Sequence, residues 1–148
     1  MPGKPTPKHL AMLLCDYLVL DAETHNKSLI GIFNRVNASK YPVRHDRMHV
    51  FVALTDGHGE YAASLKIKSS TGKQLLSLDG KVDMRDPLGV AEINFNIRGL
   101  VIPEPGRYFV EFWCDDEIIV DRHFDASVWE GPPQGKGAPE PPASPGNG

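Results

Sequence analysis

Apolar and polar residues alternate along most of this chain with a period of two, the signature of strands whose successive side chains leave opposite faces. The clearest case is Ala91, Ile93, Phe95 and Ile97 against Glu92, Asn94, Asn96 and Arg98. Met48, Val50, Val52 and Leu54 alternate with His49, Phe51 and Ala53. Tyr61, Ala63, Leu65 and Ile67 do so with Ser64, Lys66 and Lys68, and Leu76, Leu78, Val82 and Met84 with Ser77, Asp79, Lys81 and Asp83. Tyr108, Val110, Phe112 and Cys114 share one face, and Ile118 to Phe124 forms a last run after the short turn Asp115-Asp116. Where one face is apolar and the other wet, as from Tyr61 to Lys68 and from Ala91 to Arg98, the alternation indicates antiparallel sheet.

Two earlier runs read differently. From His9 to Leu20 both alternating sets are largely apolar, as in a strand covered on both sides or a buried helix. The polar turn Asp21 to Lys27, leading straight into another β-like run, favours the strand. Leu29 to Val36 reads as one strand, with Gly31 marking a bulge or a close backbone approach. The connections carry turn chemistry: Tyr41-Pro42, Thr55-Asp56-Gly57-His58-Gly59, Arg85 to Gly89, and Ile102 to Tyr108. In the second of these, two glycines are expected to supply the positive φ angles of a tight hairpin.

The expected fold is therefore all-β: a single antiparallel β-sandwich, immunoglobulin-like or jelly-roll-like, of about eight strands. A chain of 148 residues holds one such domain. We expect a flexible N-terminus over 1–7, the sandwich over 8–129 and a disordered Pro/Gly-rich C-terminal tail over 130–148, where no large apolar side chain offsets the entropy of ordering. Pro139, Pro142 and Pro145 match the spacing of polyproline ligands only weakly, and an inert solubilising tail is the preferred reading.

A formal net charge of −3, with no block of five like charges, gives no electrostatic basis for nucleic-acid or anionic-membrane partners. No run approaches the length of a membrane span. The prolines and Asp16 interrupt the N-terminal apolar run, unlike a signal peptide, so a cytoplasmic location is expected. Cys15 and Cys114 both lie in apolar runs and are expected to be free thiols.

Three blocks, LLCDYLVLDAETHNKSLIGIF, YPVRHDRMHVFVALTDGHGEY and GLVIPEPGRYFVEFWCDDEIIVDRHF, resemble a family of small uncharacterised bacterial proteins, a domain of unknown function. The resemblance spans Leu10 to Phe124 and implies a compact β-sandwich, with no activity or catalytic residue to transfer. The Pro-Gly-Arg-Tyr corner also resembles the penultimate hairpin of bacterial immunoglobulin-like domains, where the Tyr packs at a corner between sheets. Tyr108 stands six residues before Cys114 rather than two, and the Cys-Trp-Cys arrangement is missing.

His45, His49 and His58, with Asp46 and Asp56 nearby, are the candidate metal ligands. If strand pairing begins early enough, His45 and His49 share a face but stand roughly 13 Å apart, too far for a common ion bound at about 2 Å without a bend. No Gly-x-Ser-x-Gly elbow or Walker loop is present, and the adjacent acids of Asp115-Asp116-Glu117 read as a solvated turn. No catalytic residue and no cofactor are therefore expected. The expected function is a non-catalytic binding or assembly module whose partners are protein or a second copy of the chain. Its contact-loop candidates are Asp56, Gly57, His58 and Gly59. The alternatives are a metal-dependent enzyme using His45 to His58, and a carbohydrate-binding module presenting aromatic side chains such as Phe51 and Trp113.

Overall fold

A computed structural model describes residues 4–129. It contains nine strands and, among the described residues, no helix. The strands are β1 (Lys8–Leu20), β2 (Lys27–Ile32), β3 (Arg35–Ala38), β4 (Val43–Thr55), β5 (Gly59–Ser69), β6 (Gln74–Met84), β7 (Ala91–Ile102), β8 (Gly106–Cys114) and β9 (Glu117–Val128). They form two sheets, ordered β2-β1-β4-β7 and β3-β9-β8-β5-β6. The expected tail over 130–148 lies outside the described residues.

The inward members of the alternating sets build one core between the sheets. Met12, Leu14, Met48, Val50, Val52, Leu54, Phe95 and Ile97 come from the first sheet, and Tyr61, Leu65, Ile67, Val110, Phe112 and Phe124 from the second. Phe95 meets Phe112 across the gap, ring centroids 6.1 Å apart. Burial of this apolar surface is the principal force holding the sheets together.

Nine strands stand where about eight are expected, because the run Leu29 to Val36 divides. The chain leaves the first sheet after Ile32 and joins the second at Arg35. There β3 runs parallel to β9, so the sheets are not wholly antiparallel. Val36 is the one buried residue of this four-residue stub, too little for a periodic signal. His9 to Leu20 is a strand, as expected. Cys15 and Cys114 are both buried, free thiols.

β1 does not continue flat beyond Cys15. It pairs with β4 from Lys8 to Cys15 and with β2 from Cys15 to Leu20. Straight strands would put Lys27, opposite Leu20, roughly 30 Å from Glu92, whose register position lies across β4 from Ala11. Lys27 instead forms an ion pair with Glu92. The β1–β2 hairpin is thus folded back over the outer face of its own sheet. Cys15, Phe51 and Ala53, which alternate out of phase with the core, are buried as well. Gly31, at φ +74°, sits at the bend with the Asp16 carboxylate where a Cβ would point.

Candidate functional site

The four contact-loop candidates lie between β4 in the first sheet and β5 in the second, so the tight hairpin expected there is instead a crossover between sheets, and the structure ties it to the N-terminal segment. Asp56 (φ +65°) and Gly59 (φ +118°) carry the positive φ angles. The expectation that both glycines do so is corrected at Gly57, which is required for closeness instead: an added Cβ would stand 2.5 Å from Met84 Sδ and 3.2 Å from Pro7 Cγ. The buried Tyr61 organises the loop. Its hydroxyl accepts the His58 N–H at 2.8 Å and donates to the Pro5 carbonyl at 2.6 Å. Residues 4–7, grouped by the sequence with a flexible start, lie along this end of the domain. Lys4 Nζ stands 2.7 Å from Asp115 Oδ2 and 4.6 Å from the Tyr61 ring centroid, and Thr6 Oγ1 donates to Glu117. The loop is a structural closure, with Asp56 and His58 its exposed residues.

The Lys4 ammonium, and then the Ala62 N–H, hold the Asp115 carboxyl below its ordinary pKa. A carboxyl depressed on folding contributes stability that is present above its unfolded pKa of about 3.9 and is lost as pH falls through the folded value. Thermal midpoints of the wild type and Asp115→Asn are therefore expected to differ at neutral pH and to converge on acidification below pH 4. Parallel curves down to pH 2 would show that the Lys4 contact contributes nothing.

The three histidines do not converge. Pairing of β4 with β7 begins at Val43, yet His45 and His49 occupy opposite faces. The register is continuous, but the inward set changes from Met48 and Ile97 to Val43, Leu100 and Ile102. The change falls beside Gly99, at φ +69°, with the Arg44 guanidinium where its Cβ would be. His45, opposite Leu100, consequently turns inward, its ring 5.8 Å from Phe33 and its Nε2 buried without a partner. His49 faces outward, with Nδ1 3.3 Å from Asn94 Oδ1. His58 lies beyond the far end of β4, on the order of 30 Å of strand from His45. Among the described residues no group of three or more His, Cys, Asp or Glu is placed to hold a metal.

His49 is the cross-strand neighbour of Cys15, which with Asn94 gives the residue types of a cysteine-hydrolase triad. The environment of Cys15 opposes that chemistry. The thiol is fully buried and donates to the Tyr17 carbonyl at 3.3 Å, and burial followed by the Asp16 charge raises its pKa. Cys114 is pushed up to about 11, chiefly by burial. Neither is a ready thiolate nucleophile.

Of the aromatic candidates, Phe51 is 9% exposed. Trp113 is half-buried on the outer face of the second sheet. Its Nε1 donates to Glu111 at 3.0 Å, and Lys66 Nζ stands 4.5 Å from its ring centroid. A cation already occupies the face a sugar would stack on.

The surface the sequence did not single out is the outward face of the β1–β2 hairpin. Tyr17 (49% exposed), Val19 (47%), Ile30 (50%) and Ile32 (55%) lie together there, Tyr17 directly opposite Ile30. On the other face Leu18 and Leu29, also opposite one another, are half-buried. The signal was available: both alternating sets of His9 to Leu20 are apolar, and over the second half of the strand the fold leaves Tyr17, Val19 and Leu20 about half exposed.

The model of a family of unknown function, DUF6941, matches residues 10–127, from within β1 to within β9. The chain belongs to this family. No curated protein matches the sequence. The solved structures similar to this family member include Pseudomonas fluorescens alkylpurine DNA glycosylase AlkC bound to DNA containing an abasic site analog. It has 12% identity and a TM-score of 0.49, over 81% of this chain and 30% of that one. A Listeria innocua β-glucosidase in complex with glucose gives 10% and 0.45, over 84% and 16%. An immunoglobulin-like protein from Pseudomonas aeruginosa gives 11% and 0.43, over 84% and 99%. The chain thus spans less than a third of the first two proteins, and at these TM-scores none of the likenesses carries an argument. No described helix is long and apolar enough to cross a membrane.

Proposed function

We propose that this protein is a non-catalytic binding or assembly module built on an immunoglobulin-like β-sandwich and acting in a reducing, cytoplasmic setting. The strand order supports the architecture: β1-β4-β7 faces β9-β8-β5-β6, with β3 running parallel to β9 at the edge. So does Tyr108, at the start of the penultimate strand, whose hydroxyl donates back to the Glu104 carbonyl at 2.6 Å in the manner of a tyrosine corner. The two buried free thiols suit the reducing setting.

One observation carries the binding reading. A solvated sheet face is ordinarily polar, whereas the outward face of the β1–β2 hairpin presents four contiguous half-exposed apolar side chains. Contiguous exposed apolar surface of this kind marks contact sites. A photo-crosslinking residue in place of Ile30 is expected to capture a protein species, whereas the same residue in place of Lys81, on the opposite edge strand β6, is not. Equal capture from both positions, or none from Ile30, counts against the reading.

A further inference from the structure

The hairpin face has an ordered surrounding, and it is self-complementary. At its bend end the Arg47 guanidinium carbon lies 4.6 Å from the Tyr17 ring centroid. Arg98 is the direct cross-strand partner of Arg47, so two cations stand side by side, an unfavourable pairing without a counter-charge. At the other end the tip carries Asp21 and Glu23. Hydrogen bonds from the Thr24 and Glu23 N–H groups hold Asp21 below its ordinary pKa, so it stays ionised at neutral pH. Among the described residues Arg47, Arg98, Asp21 and Glu23 enter no ion pair. Between the ends lies the apolar strip Ile32, Ile30, Tyr17 and Val19, with no charged residue in it.

We infer, resting on the binding reading above, that the occupant of this face is a second copy of the chain, docked hairpin to hairpin about a two-fold axis. A two-fold axis perpendicular to the hairpin exchanges its ends. The arginine pair of one copy then meets the tip carboxylates of the other, twice per dimer, while the two apolar strips cover each other. Such an isologous contact needs one patch complementary to itself, and the basic end, apolar middle and acidic end supply it. The scale is also suitable. Four side chains of this size, half exposed, offer on the order of 350 Å² of apolar surface, and a charged rim would bring this toward the roughly 800 Å² per partner of a stable interface. An uncharged centre is the composition that distinguishes homodimer interfaces. Backbone pairing edge to edge through β2 is disfavoured, because the left-handed Gly31 interrupts that edge.

The test is sedimentation velocity of the full chain over a concentration series, with near-ultraviolet circular dichroism confirming the native fold. The wild type is expected to sediment as a dimer, and Ile30→Asp to weaken the dimer by roughly 30-fold or more, the scale of an interface hot spot. Arg47→Glu and Glu23→Arg are each expected to weaken it, and the two together to restore it, because the exchanged charges meet again across the axis. A wild type that stays monomeric throughout the series overturns the inference. So does a dimer that the double exchange fails to restore. If the Ile30 crosslink is found to hold a different protein while the chain stays monomeric, the second copy is ruled out and the binding reading stands. If neither dimer nor crosslink forms, both fall.

Discussion

Tyr108→Ala is expected to destabilise the fold by about 3–5 kcal/mol, the cost of removing a large aromatic from a packed core, and to do so without touching any exposed surface. Tyr108 is 2% exposed, and its ring stacks on Phe124 with centroids 5.5 Å apart. Its hydroxyl holds the Glu104 carbonyl and so pins the corner where β7 passes to β8. Tyr108→Phe separates the two contributions. It keeps the ring and removes the hydrogen bond, and the expected loss is about 1–3 kcal/mol for an acceptor left without its donor. Urea denaturation of the three proteins measures both values. A Phe variant as stable as the wild type would mean that the corner is held by packing alone.

The second large effect is expected at Gly31. Any L-residue there adopts the left-handed conformation at a cost of roughly 1–2 kcal/mol. Its Cβ would also lie 2.3 Å from Asp16 Oδ2, forcing that carboxylate away. Gly31→Ala should therefore loosen the bend of the β1–β2 hairpin. Gly80→Ala is the control, since a Cβ on this β6 residue meets nothing within 4 Å and the substitution also reduces the entropy of the unfolded chain. Hydrogen exchange reads the difference: faster exchange over β1 and β2 is expected in Gly31→Ala alone, together with Cys15 reacting with thiol reagents in the native protein. Protection of the hairpin equal to that in the wild type would show that the bend does not depend on Gly31.

The strands with one wet face were legible because their periodicity records burial directly; the set from Ala91 to Ile97 points inward as written. Other features were not legible, for physical reasons. β3 holds a single buried residue, Val36, and a period cannot be read from one position. The inward turn of His45 arises beside Gly99, where two paired strands change phase together without a shift of register, so neither sequence alone shows a break. The doubly apolar pattern of His9 to Leu20 was legible as a strand, but the structure covers both faces only near its middle and leaves Leu10, Tyr17, Val19 and Leu20 about half exposed. The hairpin's fold over its own sheet was not legible, because it depends on a contact between Lys27 and Glu92, 65 residues apart. The loop from Asp56 to Gly59 was legible as a connection but not as a crossover between sheets, which its glycines do not distinguish from a hairpin, and the role of Gly57 depends on Met84 and Pro7, which carry no local signal.

The parallel pairing of β3 with β9 bears on how the chain is made. Arg35 joins Asp125 across 90 residues, and a ribosome adding 5–20 residues per second needs roughly 5–20 s to supply that partner. Val36 and the segment around it therefore emerge long before their place in the second sheet exists. The switch between sheets at Phe33-Asn34 can be completed only after β9 has been made, so β3 docks late in the assembly of this edge of the domain.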